Sequence, residues 1–225
     1  METTTTAAPT SATSRTPVRT TAPWAWWGVV AGATGLAGNL VASHGPTSGY
    51  DAATAVAESD RATQHIGTAL GLVAFAALLL LAAGWRHWAR ERGVVSGSIA
   101  PALTVTASLV LFGVGLRGAM AEYLPGGINA DNFDDAGLYV LFMLHDTAPW
   151  TAWWGVLLAA AAVAWLSFAE GAFSRWLGAF SVVALIPPVA VMAGSGAVAG
   201  GGFIGPLWLL VASLVIASRG LREKA

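Results

Sequence analysis

The sequence predicts an all-α fold, a polytopic membrane bundle of six transmembrane helices. Its composition is the first reason: hydrophobic residues make up 56% and charged residues only 10% of the chain, and the mean hydropathy is +0.64. A soluble domain carries roughly a quarter charged residues. The second reason is that the apolar residues collect into runs of about 20, the length that a helix needs to cross ~30 Å of hydrocarbon.

The same composition excludes several kinds of site. The chain has no cysteine, so disulfides, thiolate-bound metals and iron–sulfur clusters are excluded. Its net charge is −1, and the loops between apolar runs are short and carry few basic residues. Nucleic acid is therefore not an expected partner. The sequence requires no cofactor, and the lipid bilayer is the first expected partner.

Six apolar segments follow a Thr-rich tail. Residues 1–22 have almost nothing to bury, which predicts a disordered cytoplasmic tail, and residues 220–225 form a second short tail. The transmembrane domain between them covers 23–219, and we predict spans at about 24–43, 64–84, 99–120, 137–168, 175–193 and 203–218.

Glycine and proline mark special features of these spans. Gly28, Gly32, Gly35 and Gly38 recur every three or four residues in span one. This spacing gives a smooth face for close helix packing, which predicts a homo-oligomer or a membrane partner through the glycine-rich helix faces. Pro187-Pro188 predicts a kink in span five, and the glycine-rich stretch 194–202 predicts a tight turn.

Span four is longer than a bilayer requires. A continuous helix over 137–168 would measure about 48 Å, and Pro149 disfavours helix at the residue before it. Two interpretations stay open. Either 137–146 is a short interfacial helix and the span begins at Pro149, or one kinked helix projects outward. We favour the kinked helix.

The basic residues predict the orientation. Nine of the 11 Lys and Arg residues lie in the N-terminal tail, in the loops at 85–98 and 169–176, or at the C-terminus from Arg219 onward, and only Arg61 and Arg117 lie elsewhere. Since basic residues favour the cytoplasmic side, we predict a multi-pass protein of the cytoplasmic membrane with both termini in the cytoplasm.

Several polar side chains then reach one depth near the outer rim. Counting ~1.5 Å per residue from the cytoplasmic ends places His44, His65, Arg117 and His145 about 27–34 Å up, with Glu122 and Asp146 close to that level. Asn39 lies one to two turns deeper in span one. Residues at one depth can form a site, although their direction around each helix is not visible in the sequence.

We treat six of them as candidate ligand-binding residues and keep three interpretations; the six are His44, His65, Arg117, Glu122, His145 and Asp146. They can line an outward-facing polar pocket for a small ligand. They can hold a haem between His65 and His145, or a divalent metal among His44, His65, Glu122 and Asp146. They can also be interfacial side chains satisfied by water and head groups.

Arg117 lies within an apolar helix, where a charge is costly unless it is paired. Glu122 is five residues away and points about 140° around the helix. Asp146 lies at a similar depth in span four. We therefore predict a structural ion pair between Arg117 and Asp146.

Three segments, AGATGLAGNLVAS in span one, MLHDTAPWTAWWGVLLAAAAVAWLSF in span four and FSRWLGAF before span five, resemble a bacterial family of six-span integral membrane proteins. This family has no known function and is related to a domain-of-unknown-function group in which an LHD element opens span four. The resemblance implies the fold and the span count and adds no mechanism.

The sequence thus predicts a non-enzymatic membrane protein that binds or passes a small ligand through an outward-facing polar pocket. The alternative is a haem- or metal-dependent membrane redox protein or enzyme that uses His65 and His145. A purely structural partner for another membrane protein is a third interpretation.

Overall fold

The structure is a computed structural model, and it describes residues 19–42 and 51–222. Most of the predicted N-terminal tail, His44 and residues 223–225 lie outside this part of the chain.

The described residues fold into eight helices and one short pair of strands. In chain order these are β1 Arg19–Thr20, a 3-10 turn Pro23–Ala25, α1 Trp26–Ala42, α2 Ala52–Glu58, α3 Arg61–Ala89, α4 Val94–Tyr123, α5 Asp135–Ala152, α6 Trp154–Phe168, α7 Arg175–Ser195, α8 Gly201–Arg219 and β2 Leu221–Arg222.

Five helical segments are long and apolar enough to cross a membrane. They are α3, α4, the α5–α6 segment, α7 and α8. The chain is therefore a multi-pass membrane protein with an all-helical transmembrane part. All five segments run past the predicted spans at one or both ends.

The described part of α1 has 17 residues and lies between α3 and α8. Its glycines allow this, since a Cβ on Gly28 would collide with Ser213 and a Cβ on Gly32 with the backbone of Leu210. A Cβ on Gly35 would collide with the Trp153 ring. The predicted close-packing face therefore packs against helices of the same chain. A homo-oligomer or membrane partner stays a prediction and would need other surfaces.

Span four is one long segment interrupted once, as the kinked-helix interpretation expects. The interruption, however, lies at Trp153, one turn after Pro149, which itself remains inside α5. The Trp153 carbonyl accepts from Val156 N at 3.1 Å and from Leu157 N at 3.3 Å, so the two helices share a tight junction. The junction holds the buried Trp153 side chain against Gly35 and Gly205.

A small second core caps one end of the bundle. It is formed by α2, the end of α4 and the start of α5, and it buries Val56, Met120, Leu138 and Phe142. We did not predict α2 from the sequence. It begins at Asp51, whose carboxylate accepts from the N–H and the hydroxyl of Thr54, both at 2.9 Å. These bonds lower the pKa of Asp51 below its usual 3.8.

The opposite end of the bundle holds an aromatic cluster and the strand pair. Trp24, Trp85, Trp88 and Phe173 meet with ring centroids 5.1–6.0 Å apart. Beside this cluster in the chain, Arg19 pairs with Arg222 in the antiparallel register of β1 and β2. The two described ends of the chain therefore lie next to each other.

The helix α7 continues through Pro187-Pro188 to Ser195, so span five is not broken there, and the kink stays a prediction. One prediction about the second half of the chain needs correction. The glycine-rich stretch is more than a turn, because its last two glycines, Gly201 and Gly202, already belong to α8. Trp208 of α8 is 3% exposed and donates to Ser181 Oγ of α7 at 3.0 Å.

Candidate functional site

Three of the predicted site residues meet at one cavity near the capped end of the bundle. Arg117 reaches it from α4, and His145 and Asp146 reach it from α5. The space between these side chains amounts to about 280 Å³ when the part open to solvent is included, and the centre of a water-sized molecule has about 10 Å³ in it, which is room for about one water. Its remaining wall consists of Asn39 from α1, Pro149 and Trp150 from α5, and Gly202 and Phe203 from α8.

This site, which we call the outer cavity, is held together by a polar bridge through Asn39. The Asn39 side chain donates from Nδ2 to the carbonyl oxygen of Gly202 at 2.7 Å and accepts at Oδ1 from Arg117 Nη2 at 3.0 Å. Arg117 Nη1 also donates to the carbonyl oxygen of Gly38, at 3.2 Å. One buried amide therefore links α1, α4 and the first turn of α8.

The bridge requires α8 to pack closely against α1 and α5. A Cβ on Gly202 would lie 2.9 Å from the carbonyl oxygen of Pro149 and 3.5 Å from Asn39 Nδ2. Contact at 2.9 Å is closer than side chains tolerate, so a residue larger than glycine would push α8 away from α1 and α5. Gly202 is therefore needed for the geometry of the cavity wall.

Arg117 is 5% exposed, and its partners are neutral oxygen atoms. A guanidinium has five N–H donors, and two of them are used here. The predicted ion pair with Asp146 is wrong: both residues line the cavity, but within the described residues no ion pair joins them, and Asp146 makes no hydrogen bond. The carbonyl of Gly38 and the amide of Asn39 occupy the guanidinium instead.

His145 is the most unusual residue of the cavity. It is 2% exposed, and neither Nδ1 nor Nε2 makes a hydrogen bond of good geometry, although the ring lies within reach of the Phe142 backbone. Its ring packs beside Phe142, with centroids 6.1 Å apart. In the described part of the chain, every other side chain with an unpartnered buried polar atom has one such atom, whereas His145 has two.

The free nitrogens matter because an unsatisfied buried polar group costs about 1–3 kcal/mol. An interfacial residue would satisfy them with water or head groups, but His145 is enclosed. The missing partners therefore have to come from a molecule inside the cavity.

The other predicted site residues lie elsewhere. His65 is exposed on α3 and does not line this cavity. Glu122 accepts a hydrogen bond from Asn129 Nδ2 in the loop after α4. His44 lies outside the described residues.

The haem interpretation requires His65 and His145 to face each other. In the structure, His145 lines the outer cavity and His65 does not. Within residues 19–42 and 51–222, no group of three or more His, Asp or Glu side chains is placed to hold a metal ion. The predicted divalent-metal site includes His44, which lies outside these residues.

Some lining residues were missed by the sequence reasoning although a signal was present. Asn39 follows Gly38 on the glycine-rich face of span one, and Gln64, Gly67, Gly71 and Ala74 form a similar inward-facing stripe on α3. That stripe excludes His65, which is next to Gln64 but a third of a turn away. Trp150, Gly202 and Phe203 carried no comparable signal.

No protein-family model, no curated protein and no solved structure matches the chain. The resemblance to the six-span family of unknown function therefore stays a prediction.

Proposed function

We propose that this protein binds a small polar ligand in the outer cavity and that the ligand enters from the outer side of the cytoplasmic membrane. The observation that carries the proposal is His145, whose two ring nitrogens are buried without partners beside a buried guanidinium. Both groups have unused hydrogen-bonding capacity and face the same space. A structural cluster of this kind would be expected to satisfy itself.

Access to the cavity is proposed between α5 and α8. Trp150 and Phe203 are half-buried and stand on either side of this seam, with ring centroids 5.1 Å apart. Asp146 is also half-buried, whereas Arg117 and His145 are buried. Exposure thus increases from the cationic end of the cavity to its mouth.

We further propose six transmembrane spans, with α1 as the first. Two contacts support this: Gly28 packs on Ser213, and the Asn39 side chain donates to Gly202. The described part of α1 therefore runs antiparallel to α8 along nearly the whole of that apolar helix. The β1–β2 pair supports an even number of crossings, because it joins the two described ends of the chain.

The orientation follows the basic residues. Arg86, Arg90, Arg92, Arg175 and Arg219 lie at or near the end that carries the aromatic cluster, opposite to the outer cavity. By the positive-inside rule that end faces the cytoplasm. Both termini are then cytoplasmic and the cavity opens outward.

Cysteine labelling tests this proposal without a known ligand, because the chain has no native cysteine. Asp146→Cys is expected to react in intact cells with two membrane-impermeant methanethiosulfonates, one carrying a sulfonate and the other a quaternary ammonium. The sulfonate should react at least roughly three-fold faster, since the Arg117 charge attracts it once the carboxylate is gone.

Two control variants fix the interpretation. Val198→Cys, in the exposed loop before α8, should react in intact cells, and Glu91→Cys, between α3 and α4, should react only after permeabilisation. Asp146→Cys that stays unlabelled while Val198→Cys reacts would contradict an outward-opening cavity. The reverse pattern of the two controls would contradict the orientation.

A further inference from the structure

A second cavity lies at the opposite end of the bundle, between the start of α7 and the end of α8, and we call it the inner groove. Its space amounts to about 520 Å³ when the part open to solvent is included, and the centre of a water-sized molecule has about 120 Å³ in it. One water needs about 10–15 Å³ by this measure. The inner groove therefore has room for a group of several heavy atoms, such as a phosphate.

The wall of the inner groove combines apolar and polar side chains. Phe173, Leu177 and Ile216 line it and belong to the buried core of the bundle. Ser174 and Arg219 line it as well and are the polar side chains of its described wall. A site of this composition suits a molecule that has both a charged part and an apolar part.

Arg219 gives the inner groove its charge. It is the last residue of α8, it is exposed, and its guanidinium makes no hydrogen bond or ion pair with any described residue. A guanidinium presents its N–H donors in a planar fork that matches a phosphate group. The Ser174 hydroxyl oxygen accepts from Leu177 N at 3.3 Å, and its O–H can donate to the same anion. Since no Asp or Glu is among the described lining residues, the charge of the inner groove favours an anion.

The position of the inner groove points to a lipid as the source of this anion. Phe173 also belongs to the aromatic cluster, at the end of the bundle that faces the cytoplasm in the proposed orientation. On α7, the exposed Trp176 ring stacks nearly parallel on Phe180, with centroids 5.6 Å apart. Exposed tryptophans are typical of the boundary between hydrocarbon and water. The inner groove therefore lies at the level of the lipid head groups, in the leaflet whose surface is negatively charged.

We infer that the inner groove binds the head group of an anionic phospholipid from the inner leaflet. The phosphate would accept from Arg219 and Ser174, and the acyl chains would lie along the surface of α7 and α8 that faces the bilayer. Basic pockets between transmembrane helices on the cytoplasmic side bind such head groups in other membrane proteins. The inference goes beyond the proposed function and takes only the orientation from it.

The test is lipid binding to the full-length protein in mild detergent, measured by native mass spectrometry. Phosphatidylglycerol should bind roughly five-fold more tightly than phosphatidylcholine with the same acyl chains, which is the effect of one arginine at an anionic membrane surface. Arg219→Gln should abolish this preference. Arg90→Gln is the matched control and should keep it, because Arg90 is also exposed at this end of the bundle but does not line the inner groove.

A second pair of variants tests the room in the inner groove without changing its charge. Val215→Phe places a larger side chain in the wall and should also remove the preference for phosphatidylglycerol. Leu214→Phe, at the adjacent exposed position of α8, should keep it. If Val215→Phe does not fold, Arg219→Gln still decides, because a substitution at an exposed position leaves the core intact.

Inorganic phosphate distinguishes a lipid from a soluble anion. It has no acyl chains, so it should not displace phosphatidylglycerol. Displacement would assign the inner groove to a soluble phosphate compound and overturn the inference. Equal binding of the two lipids, or a preference that survives Arg219→Gln, would overturn it as well.

The lipid measurements involve no residue of the outer cavity, and the cysteine labelling involves no lipid, so the two proposals can fail separately. Labelling of Asp146→Cys without a lipid preference would leave the outer cavity standing and remove the lipid site. A lipid preference combined with the reverse pattern of the labelling controls would move the inner groove to the outer leaflet and overturn its assignment to the inner one.

Discussion

Two buried polar regions of this molecule differ in how completely they satisfy themselves. Between α7 and α8, Trp208 Nε1 donates to Ser181 Oγ at 3.0 Å, and the Ser181 hydroxyl donates to Leu177 O at 2.8 Å. In the outer cavity, both nitrogens of His145 and the carboxylate of Asp146 have no protein partner among the described residues. Trp208, Ser181 and His145 are all buried in an apolar protein, so an unsatisfied group at any of them has a similar cost, whereas Asp146 is half-buried.

The difference teaches which region stabilises the fold and which one has another role. A polar pair that is closed within the protein, such as Ser181 and Trp208, joins two helices and leaves nothing to bind. A cavity that keeps its polar groups unpaired gives up stability, which proteins typically do at functional sites. Only the Asn39 bridge of the outer cavity resembles the α7–α8 pair, because each of its groups has a partner.

The largest effect is expected at that bridge. Asn39→Ala removes a partner of the buried Arg117 guanidinium and leaves the Gly202 carbonyl without a donor. We expect a loss of about 3 kcal/mol, since both groups keep their burial cost. Thermal unfolding in nanodiscs measures it, and Asn129→Ala, which removes an amide from the loop after α4, should cost far less. If Asn39→Ala and Asn129→Ala lower the free energy of unfolding equally, the bridge stabilises the protein no more than a hydrogen bond in the loop after α4 does.

A smaller loss is expected between α7 and α8. Ser181→Ala leaves the buried Trp208 N–H without an acceptor, which should cost about 2 kcal/mol in the same unfolding measurement. Ser195→Ala is the matched control, because its hydroxyl also donates to a carbonyl of α7 but is exposed. If Ser181→Ala and Ser195→Ala unfold at the same temperature, the hydrogen bond between Ser181 and Trp208 does not stabilise the fold.

The smallest effect is expected at α2, which packs on α5 in the cap. Hydrogen bonds lower the pKa of Asp51, so the cap contributes above the unfolded pKa and is lost as pH falls through the folded one. We expect faster amide hydrogen exchange in α2 below about pH 3.8. Asp51→Asn should remove this dependence on pH. Exchange that accelerates equally in both proteins would assign the effect to another group.

Much of the fold could be predicted from the sequence because bilayer thickness sets the length of apolar runs. Hydropathy located the five long apolar segments, and the proline in span four indicated a kink. The sequence did not show that the kink lies at Trp153, because that position depends on the contacts of the Trp153 indole with Gly35 and Gly205. Nor did it reveal α2, whose seven residues are too short to carry a clear period.

The sequence predicted how deep each site residue lies in the membrane but not which way its side chain faces around the helix. Counting residues placed Arg117, His145 and Asp146 at one level, and the structure brings them to one cavity. The same count included His65 and Glu122, which point elsewhere, because rotation around a helix is decided by packing. The Arg117–Asp146 pair was wrong for a related reason: backbone and amide oxygens of α1 lie closer to the guanidinium.

The most direct test of the central claim, that His145 is kept for a ligand rather than for stability, is the unfolding temperature of His145→Leu without added ligand. We expect this variant to be more stable than the natural protein by about 1 kcal/mol, because it removes two unsatisfied buried nitrogens. Phe142→Leu, one turn away and equally buried, should be less stable. A loss of stability in His145→Leu as large as that in Phe142→Leu would contradict the claim and make His145 a structural residue.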